Sequence, residues 1–361
     1  MKPPLPHWLR DHWLLGATGA VILVFFATVS AHVLVWASIP YRGHGAAFSI
    51  IEIPEGTGAA RAVQILVEHG LIQRSPMALL YLRLTGRTRG IKAGEYYFTR
   101  PMTPGEVFDR IISGDVYYHR VTIPEGVRSE EVFAEFVRAG FGTGQEYRDL
   151  FRDVSLIADL DPDATDLEGY LHPDTYTLQK GARPRAIVAM MVARFREVFQ
   201  PSWIEKVGQR GMGVREAVAL ASMVEWETAH PDENPLVASV FHNRLRLGMR
   251  LQCDPTVIYA LVMRDDFDGN IRKADLKIDS RYNTYRYSGL PPGPIGNPGA
   301  AALQAAVEPA DSDYLYFVSM NTGRHFFSTN LRDHNRAVWQ YQVKPFRQRK
   351  AASFRSRGRG N

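Results

Sequence analysis

The chain of 361 residues contains a single cysteine, Cys253, so an internal disulfide cannot form and a thiolate metal cluster is excluded. Such a count fits the cytoplasm, or an exported protein that does not rely on disulfides. Charge is missing from one long stretch: Leu14 to Ser38 holds no Asp, Glu, Lys or Arg, and His32 is its only ionisable group. Its centre, "AVILVFFATV", belongs to a run long enough to cross a bilayer core of about 30 Å. No clear small-x-small cleavage site follows, so an uncleaved anchor over 14–38 is expected rather than a signal peptide. Trp13 and Trp36 sit near the ends of the run, as interfacial aromatics would. The short segment 1–13 is then cytoplasmic and the bulk of the chain lies on the other side.

Acids are absent from the last stretch, 344–361, where "KPFRQRKAASFRSRGRGN" carries seven basic residues. The net charge of +5 comes mostly from this tail, which reads as disordered and solvated. The body is close to neutral, so nucleic acid is not expected as a partner. A hydrophobic content of 45% is ample for two medium domains or one large domain with appendages.

Beyond the anchor the sequence echoes itself. "IEIPEGTGAARAVQILVEHGLI" from Ile51 parallels "VTIPEGVRSEEVFAEFVRAGFG" from Val121, with Pro54-Glu55-Gly56 against Pro124-Glu125-Gly126. Each copy predicts a strand, a turn and a helix, the helix ending at Gly70 or Gly140. Between the copies, "IKAGEYYF" predicts a strand. "TPGEVFDRIISG" predicts a helix capped by Thr103, with Pro104 in its first turn and Gly114 as its stop.

Carboxylates and aromatics gather in the second half. "DLEGYLHPDTYTL" holds Asp166, Glu168 and Asp174 among Tyr170, His172 and Tyr176, and by itself it reads as a loop with turn-forming acids. In "ALASMVEWETAH" no charge occurs from Ala217 to Val224, which predicts a helix packed on every side, yet Glu225 and Glu227 follow at once. A buried carboxylate costs several kcal/mol unless paired or protonated, so these two acids need either a cation such as Arg244 or a task. A helix from Asn234 as cap to Gly248 as stop follows, and Asp254 before Pro255 has the position of an N-cap. Tyr282, Tyr285 and Tyr287 lead into the Gly/Pro loop Gly289 to Gly296, which is either a surface connector or the wall of a groove. Asn297 and Pro298 are expected to start one more helix.

"LEGYLHPDTY", "LASMVEWET", "ASVFHNRLRLGMRLQCDPTVIYAL", "YNTYRYSGLPPGPIGNPG" and "YLYFVSMNTGRHFFSTNLRDHN", in this order behind one apolar span, resemble the endolytic murein transglycosylases, the YceG-like proteins. The resemblance runs from the anchor to about Val343. It implies an α+β protein with a single N-terminal transmembrane helix, a small LysM-like α+β module at 49–118 and a larger mixed α/β catalytic domain at 119–343. It also implies the catalytic acid, at the first glutamate of the E-x-E-T motif, which is Glu225. Residues expected on the sugar are Glu227, Tyr170, Asp174, Gln252, Asn283 and Tyr285.

The implied reaction cuts the β-1,4 bond between N-acetylmuramic acid and N-acetylglucosamine without water. The substrate's C6 hydroxyl attacks C1 and closes a 1,6-anhydro ring, so one glutamate can act first as acid and then as base. No cofactor or metal is expected. The implied partners are peptidoglycan glycan strands, the inner membrane and neighbouring peptidoglycan synthases, with the catalytic domain in the periplasm. Trp226, His172 and Cys253 depart from the residues usual at those positions, and none of them replaces the acid.

Three rivals remain open. A lysozyme-type muramidase needs a second carboxylate, for which Asp254 and Asp174 are the candidates. A non-catalytic wall-binding anchor leaves Glu225 unexplained. A pyridoxal-phosphate enzyme needs a lysine in an apolar pocket, whereas Lys180, Lys206, Lys273 and Lys277 lie in polar surroundings.

Overall fold

The computed structural model describes residues 7–41, 49–73 and 75–347. Residues 1–6 of the expected N-terminal segment and 348–361 of the basic tail lie outside these residues. The described chain is α+β and divides into two compact units. One comprises the residues up to His119 together with Thr177–Gly181, and the other comprises Arg120–Tyr176 and the residues from Ala182 onward.

The first unit begins with α1, His7–Ala37. Within it Gly16–Ala37, 22 residues with a mean hydropathy of 2.2, is long and apolar enough to cross a membrane. Most of this stretch exposes its side chains, but Val33 and Ala37 are buried and Trp36 packs beside them. They join a core made with β1 (Ser49–Ile53), α2 (Ala59–Glu68), α3 (Ser75–Leu84), β2 (Gly94–Phe98) and α4 (Pro104–Ser113). β1 and β2 pair antiparallel, Ile51 opposite Tyr96, and place both side chains in that core. α4 starts and stops as its sequence dictates. The Thr103 hydroxyl accepts from the Glu106 N–H, Glu106 accepts from the Thr103 N–H, and Gly114 closes the helix in the left-handed region at φ 78°.

β3 (Tyr118–Thr122) pairs with β4 (Thr175–Gln179), and the boundary between the units falls within both strands. The second unit continues with α5 (Ser129–Arg138), α6 (Gly144–Phe151), α7 (Pro184–Val198), α8 (Pro201–Gln209) and α9 (Val214–Glu227). There follow α10 (Asn234–Arg246), α11 (Asp254–Val262), α12 (Ala300–Val307), the antiparallel hairpin of β5 (Tyr316–Ser319) and β6 (His325–Ser328), and α13 (Leu331–Val338).

α9 is the axis of this unit. Every residue from Ala217 to Val224 is buried, as the charge-free run predicts, and α8, α10, α11 and α12 pack around it. The neighbour α12, "AAALQAAV", is rich in alanine, which allows close helix approach.

Three expected helix caps differ in the structure. Asn234 is the first helical residue of α10 rather than its cap, and Pro235 follows it. Cys253, not Asp254, precedes α11, which frees the Asp254 carboxylate for another bond. α12 starts at Ala300 with Gly299 as its cap, so Asn297 and Pro298, expected to start it, lie ahead of the helix. Asp254 and Asn297 are held by tertiary partners instead of capping, whereas the side-chain oxygen of Asn234 is buried with no hydrogen bond among the described residues.

Candidate active site

Glu225 lies in the last turn of α9, half-buried, with Trp226 and Glu227 beside it. The core side of the helix forces the carboxyl up to the protein surface at the point where α9 stops. Two segments frame it there. The Gly/Pro loop is a buried wall from Gly293 to Gly299, held by the Ile295 N–H donating to Ser222 Oγ at 3.0 Å and by Arg215 Nε donating to the Pro292 carbonyl at 2.7 Å. The turn after β3 supplies the second segment, Glu125 to Val127. Gly126 N–H donates to Asn297 O at 2.8 Å and Asn297 N–H to Val127 O at 2.9 Å, so the two segments are stitched together.

Asn297 is the knot of this arrangement. Its side-chain oxygen accepts from the N–H groups of Gly169 and Leu171, each at 3.0 Å. Its amide nitrogen donates to Val127 O, Ser129 Oγ and Glu168 Oε1. Glu168, buried, also accepts from the Ser129 N–H and hydroxyl at 2.9 Å, and burial pushes its carboxyl up to about 7 despite those bonds. Glu168 is therefore a support of the frame.

Glu225 makes one hydrogen bond, accepting the Gly299 N–H on Oε2 at 3.0 Å. Burial raises its pKa above the usual carboxylate range, the Gly299 bond opposes this, and the charge of Glu125 pushes it further up. Arg244 does not neutralise it. That guanidinium donates to the carbonyls of Leu315 and Leu251, both at 2.7 Å, and lies over the Tyr316 ring. Among the described residues no cation is in ion-pair contact with Glu225 or Glu227. A carboxyl so placed keeps a proton to higher pH and presents it at the surface, as a general acid must.

The expected sugar-contacting residues divide into two sets. Glu227 lies with Cys253, Asp254 and Arg244, and burial pushes its carboxyl up to about 7. Tyr285 donates its hydroxyl to Asp254 Oδ1 at 2.5 Å in the same cluster. Gln252, exposed beside Cys253, stands at φ 52°, an uncommon conformation for a residue with a side chain. These three are thus gathered at the junction of α9 and α11.

The other three are occupied elsewhere. Tyr170 is fully buried, its hydroxyl donating to Asp161 at 2.6 Å and its ring meeting Phe195 edge to face, so it belongs to the core. Asp174 accepts from Arg194 and from the Thr175 N–H. Asn283 is buried and organises its own loop, donating to the carbonyls of Leu276 and Ile278 and accepting from the Tyr285 N–H.

The residue that sequence reasoning passed over is Glu125. A Cβ placed on Gly299 would overlap Glu125 Oε1, so the carboxyl occupies the space that the glycine leaves open. The only signal for it was the second Pro-Glu-Gly, and nothing in the repeat distinguishes Glu125 from Glu55.

The sequence pattern of the YceG-like family matches residues 51–340. The chain is 28% identical over 306 residues to an endolytic murein transglycosylase of Bacillus subtilis, covering 81% of this chain and 84% of that protein. It is 26% identical over 357 residues to one of Streptococcus pneumoniae, covering 88% of this chain and 64% of the longer pneumococcal protein. The crystal structure of a yceG-like protein from Listeria monocytogenes superposes with a TM-score of 0.55 at 28% identity, over 80% of this chain and 98% of that one.

Proposed function

This chain belongs to the YceG-like family, and on that premise we propose that it is a membrane-anchored endolytic murein transglycosylase with Glu225 as its acid and base. The observation that carries the assignment of the acid is the carboxyl of Glu225, pushed up by burial at the open end of an apolar helix, with one backbone donor and no cation. Protonated, it donates to the oxygen of the β-1,4 bond leaving C1 of N-acetylmuramic acid. The resulting carboxylate then removes the proton of the C6 hydroxyl as that oxygen closes on C1. The Gly299 N–H steadies the carboxylate between the two proton transfers. In this reading Gln252 and Tyr285 meet the sugars, Glu227 supports them from the cluster with Cys253 and Asp254, and residues 119–343 are the catalytic domain.

Residues 14–38 are the anchor in this reading, with the LysM-like module at 49–118 and the catalytic domain in the periplasm, where strands emerge from synthases. Val33, Trp36 and Ala37 support retention of the anchor, because cleavage after the span would strip buried side chains from the core of the module.

The lysozyme-type alternative gains a second carboxyl in Glu125, while Asp174 and Asp254 are already engaged. Mass spectrometry of products from purified wall material separates the two: ends lighter by one water are 1,6-anhydro ends, and hydrated ends alone would refute the transglycosylase reading.

A further inference from the structure

Two carboxyls converge on one glycine. Gly299 gives its N–H to Glu225 Oε2 at 3.0 Å, while the place of its missing Cβ is filled by the carboxyl of Glu125, whose Oε1 and Cδ a methyl there would overlap. The turn that carries Glu125 touches the acid from the other side as well. A Cβ on Gly126, which stands at φ 81°, would meet Glu225 Cγ at 3.3 Å, and the Gly126 carbonyl accepts from Trp226 Nε1 at 2.8 Å. Among the described residues Glu125 has no hydrogen bond or ion pair, although it is exposed and arginines are plentiful in this protein. A carboxylate near a second carboxyl, with no cation between them among the described residues, disfavours ionisation of that neighbour.

Resting on the assignment of Glu225 as the acid, we propose that Glu125 is its positioning partner: its carboxyl, packed against the same glycine that donates to Glu225, disfavours a second negative charge there and so keeps the proton on Glu225, facing the glycosidic oxygen. The proton balance of the reaction suits such a pair. Glu225 loses its proton to the leaving oxygen and regains one from the C6 hydroxyl as the C1–O6 bond replaces the broken one. Repulsion from Glu125 strengthens Glu225 as a base for the second transfer, so one neighbour serves both halves of the cycle.

No other charged group among the described residues competes for this role. On the elements packed against α9, α12 carries no ionisable side chain. On α8, Lys206 is bound to Glu308, and Glu205 is exposed beside Gln209. On α10, Arg244 goes to backbone carbonyls, His242 to Ala306 O, and Arg246 to Asn243. On α11, Asp254 holds Tyr285, and Tyr259 faces Glu168. Within the turn, Arg128 is paired with Glu131. On α9 itself, Arg215 is paired with Asp161, Glu216 caps the helix start and Glu227 faces Cys253.

The test is the pH profile of kcat/KM for the full chain in detergent on isolated glycan strands, with E125Q, E125D and E225Q compared. Loss of the Glu125 charge should move the basic limb, where the acid loses its proton, down by about one pH unit, which leaves roughly tenfold less activity above the new limb. E125D should retain most of the wild-type limb. An unmoved limb in E125Q overturns the proposal, whether KM rises, which would make Glu125 a sugar contact, or the melting temperature alone falls, which would make it structural. Retained activity in E225Q would instead refute the acid itself, whatever E125Q does.

Discussion

Trp226 Nε1 donates to the carbonyl oxygen of Gly126 at 2.8 Å, which ties the residue after the acid to the residue after Glu125. The bond fixes the end of α9 against the turn following β3, across 100 residues of sequence. Trp226→Phe keeps an aromatic ring but leaves this carbonyl unpaired. A loss of about 1 kcal/mol in unfolding free energy is expected, the usual scale of one such bond, together with a several-fold fall in kcat. Urea unfolding and initial rates on the same preparation check both.

Glu225→Gln preserves the size of the side chain and its ability to accept the Gly299 N–H, but removes the transferable proton. The variant should fold with a wild-type melting curve and lose turnover by at least about two orders of magnitude. Glu227→Gln should cost less, because its carboxyl faces Cys253 and Asp254 rather than the open end of the helix. Equal losses in the two variants would reverse their ranking.

The buried helix that ends in two glutamates was legible because hydrophobic patterning is local, eight uncharged residues from Ala217 to Val224 preceding them, while the preference for Glu225 over Glu227 rested on the family resemblance. The caps of α4 were legible for the same reason, since Thr103 and Glu106 act within a single turn and Gly114 directly follows the last one. Asn297 was misread as a cap because its actual partners, Gly169, Leu171 and Val127, are over 100 residues away. Asp254 was misread likewise, its oxygen being taken by Tyr285. Glu125 was invisible on those terms. Its meaning depends on Gly299, and no pattern of spacing connects a turn to a glycine beyond the far end of a Gly/Pro loop.

Gly299→Ala tests that dependence directly. The added methyl cannot coexist with the Glu125 carboxyl where it now lies, so the carboxyl must leave and the backbone donor to Glu225 shifts with it. A loss of activity of roughly tenfold or more is expected. Combining it with Glu125→Ala clears the clash, so the double variant should recover the melting temperature lost in Gly299→Ala. Additive losses in the melting temperature would show that the two sites do not meet.

Glu168 sets a pH dependence of stability. Its carboxyl is pushed up to about 7 in the folded protein from 4.5, chiefly by burial. Between these values the folded state binds more protons than the unfolded state, so stability falls as pH rises through this window and is complete below it. The change is on the order of 3 kcal/mol if the shift is fully expressed. Glu168→Gln can still accept from Ser129 and should flatten the slope. Denaturant midpoints at about pH 3.5 and about pH 8, either side of the window, measure it. An equal slope in variant and wild type would remove Glu168 as its source.

The anchor makes a prediction about where cutting occurs. If residues 14–38 stay in the membrane, detergent should be required to extract the protein, and a phosphatase fused after Asn361 should be active in the periplasm. Truncation before Ala37 carries a second cost, because Val33, Trp36 and Ala37 complete the core of the first unit. A soluble form must therefore begin ahead of Val33 and replace the exposed apolar positions Val21 to Phe26 with polar residues. A retained anchor would confine Glu225 to the neighbourhood of the bilayer and raise its effective concentration for strands that emerge there, which would offset weak intrinsic binding. Deletion of the protein should lengthen glycan strands. The soluble form should cut purified strands at the wild-type rate, yet restore chain length poorly at equal abundance. Chromatographic strand-length profiles decide between the possibilities: full restoration by the soluble form would make the anchor dispensable for the site of cutting, and unchanged lengths in the deletion strain would remove the strand-terminating role even with Glu225 catalytic in vitro.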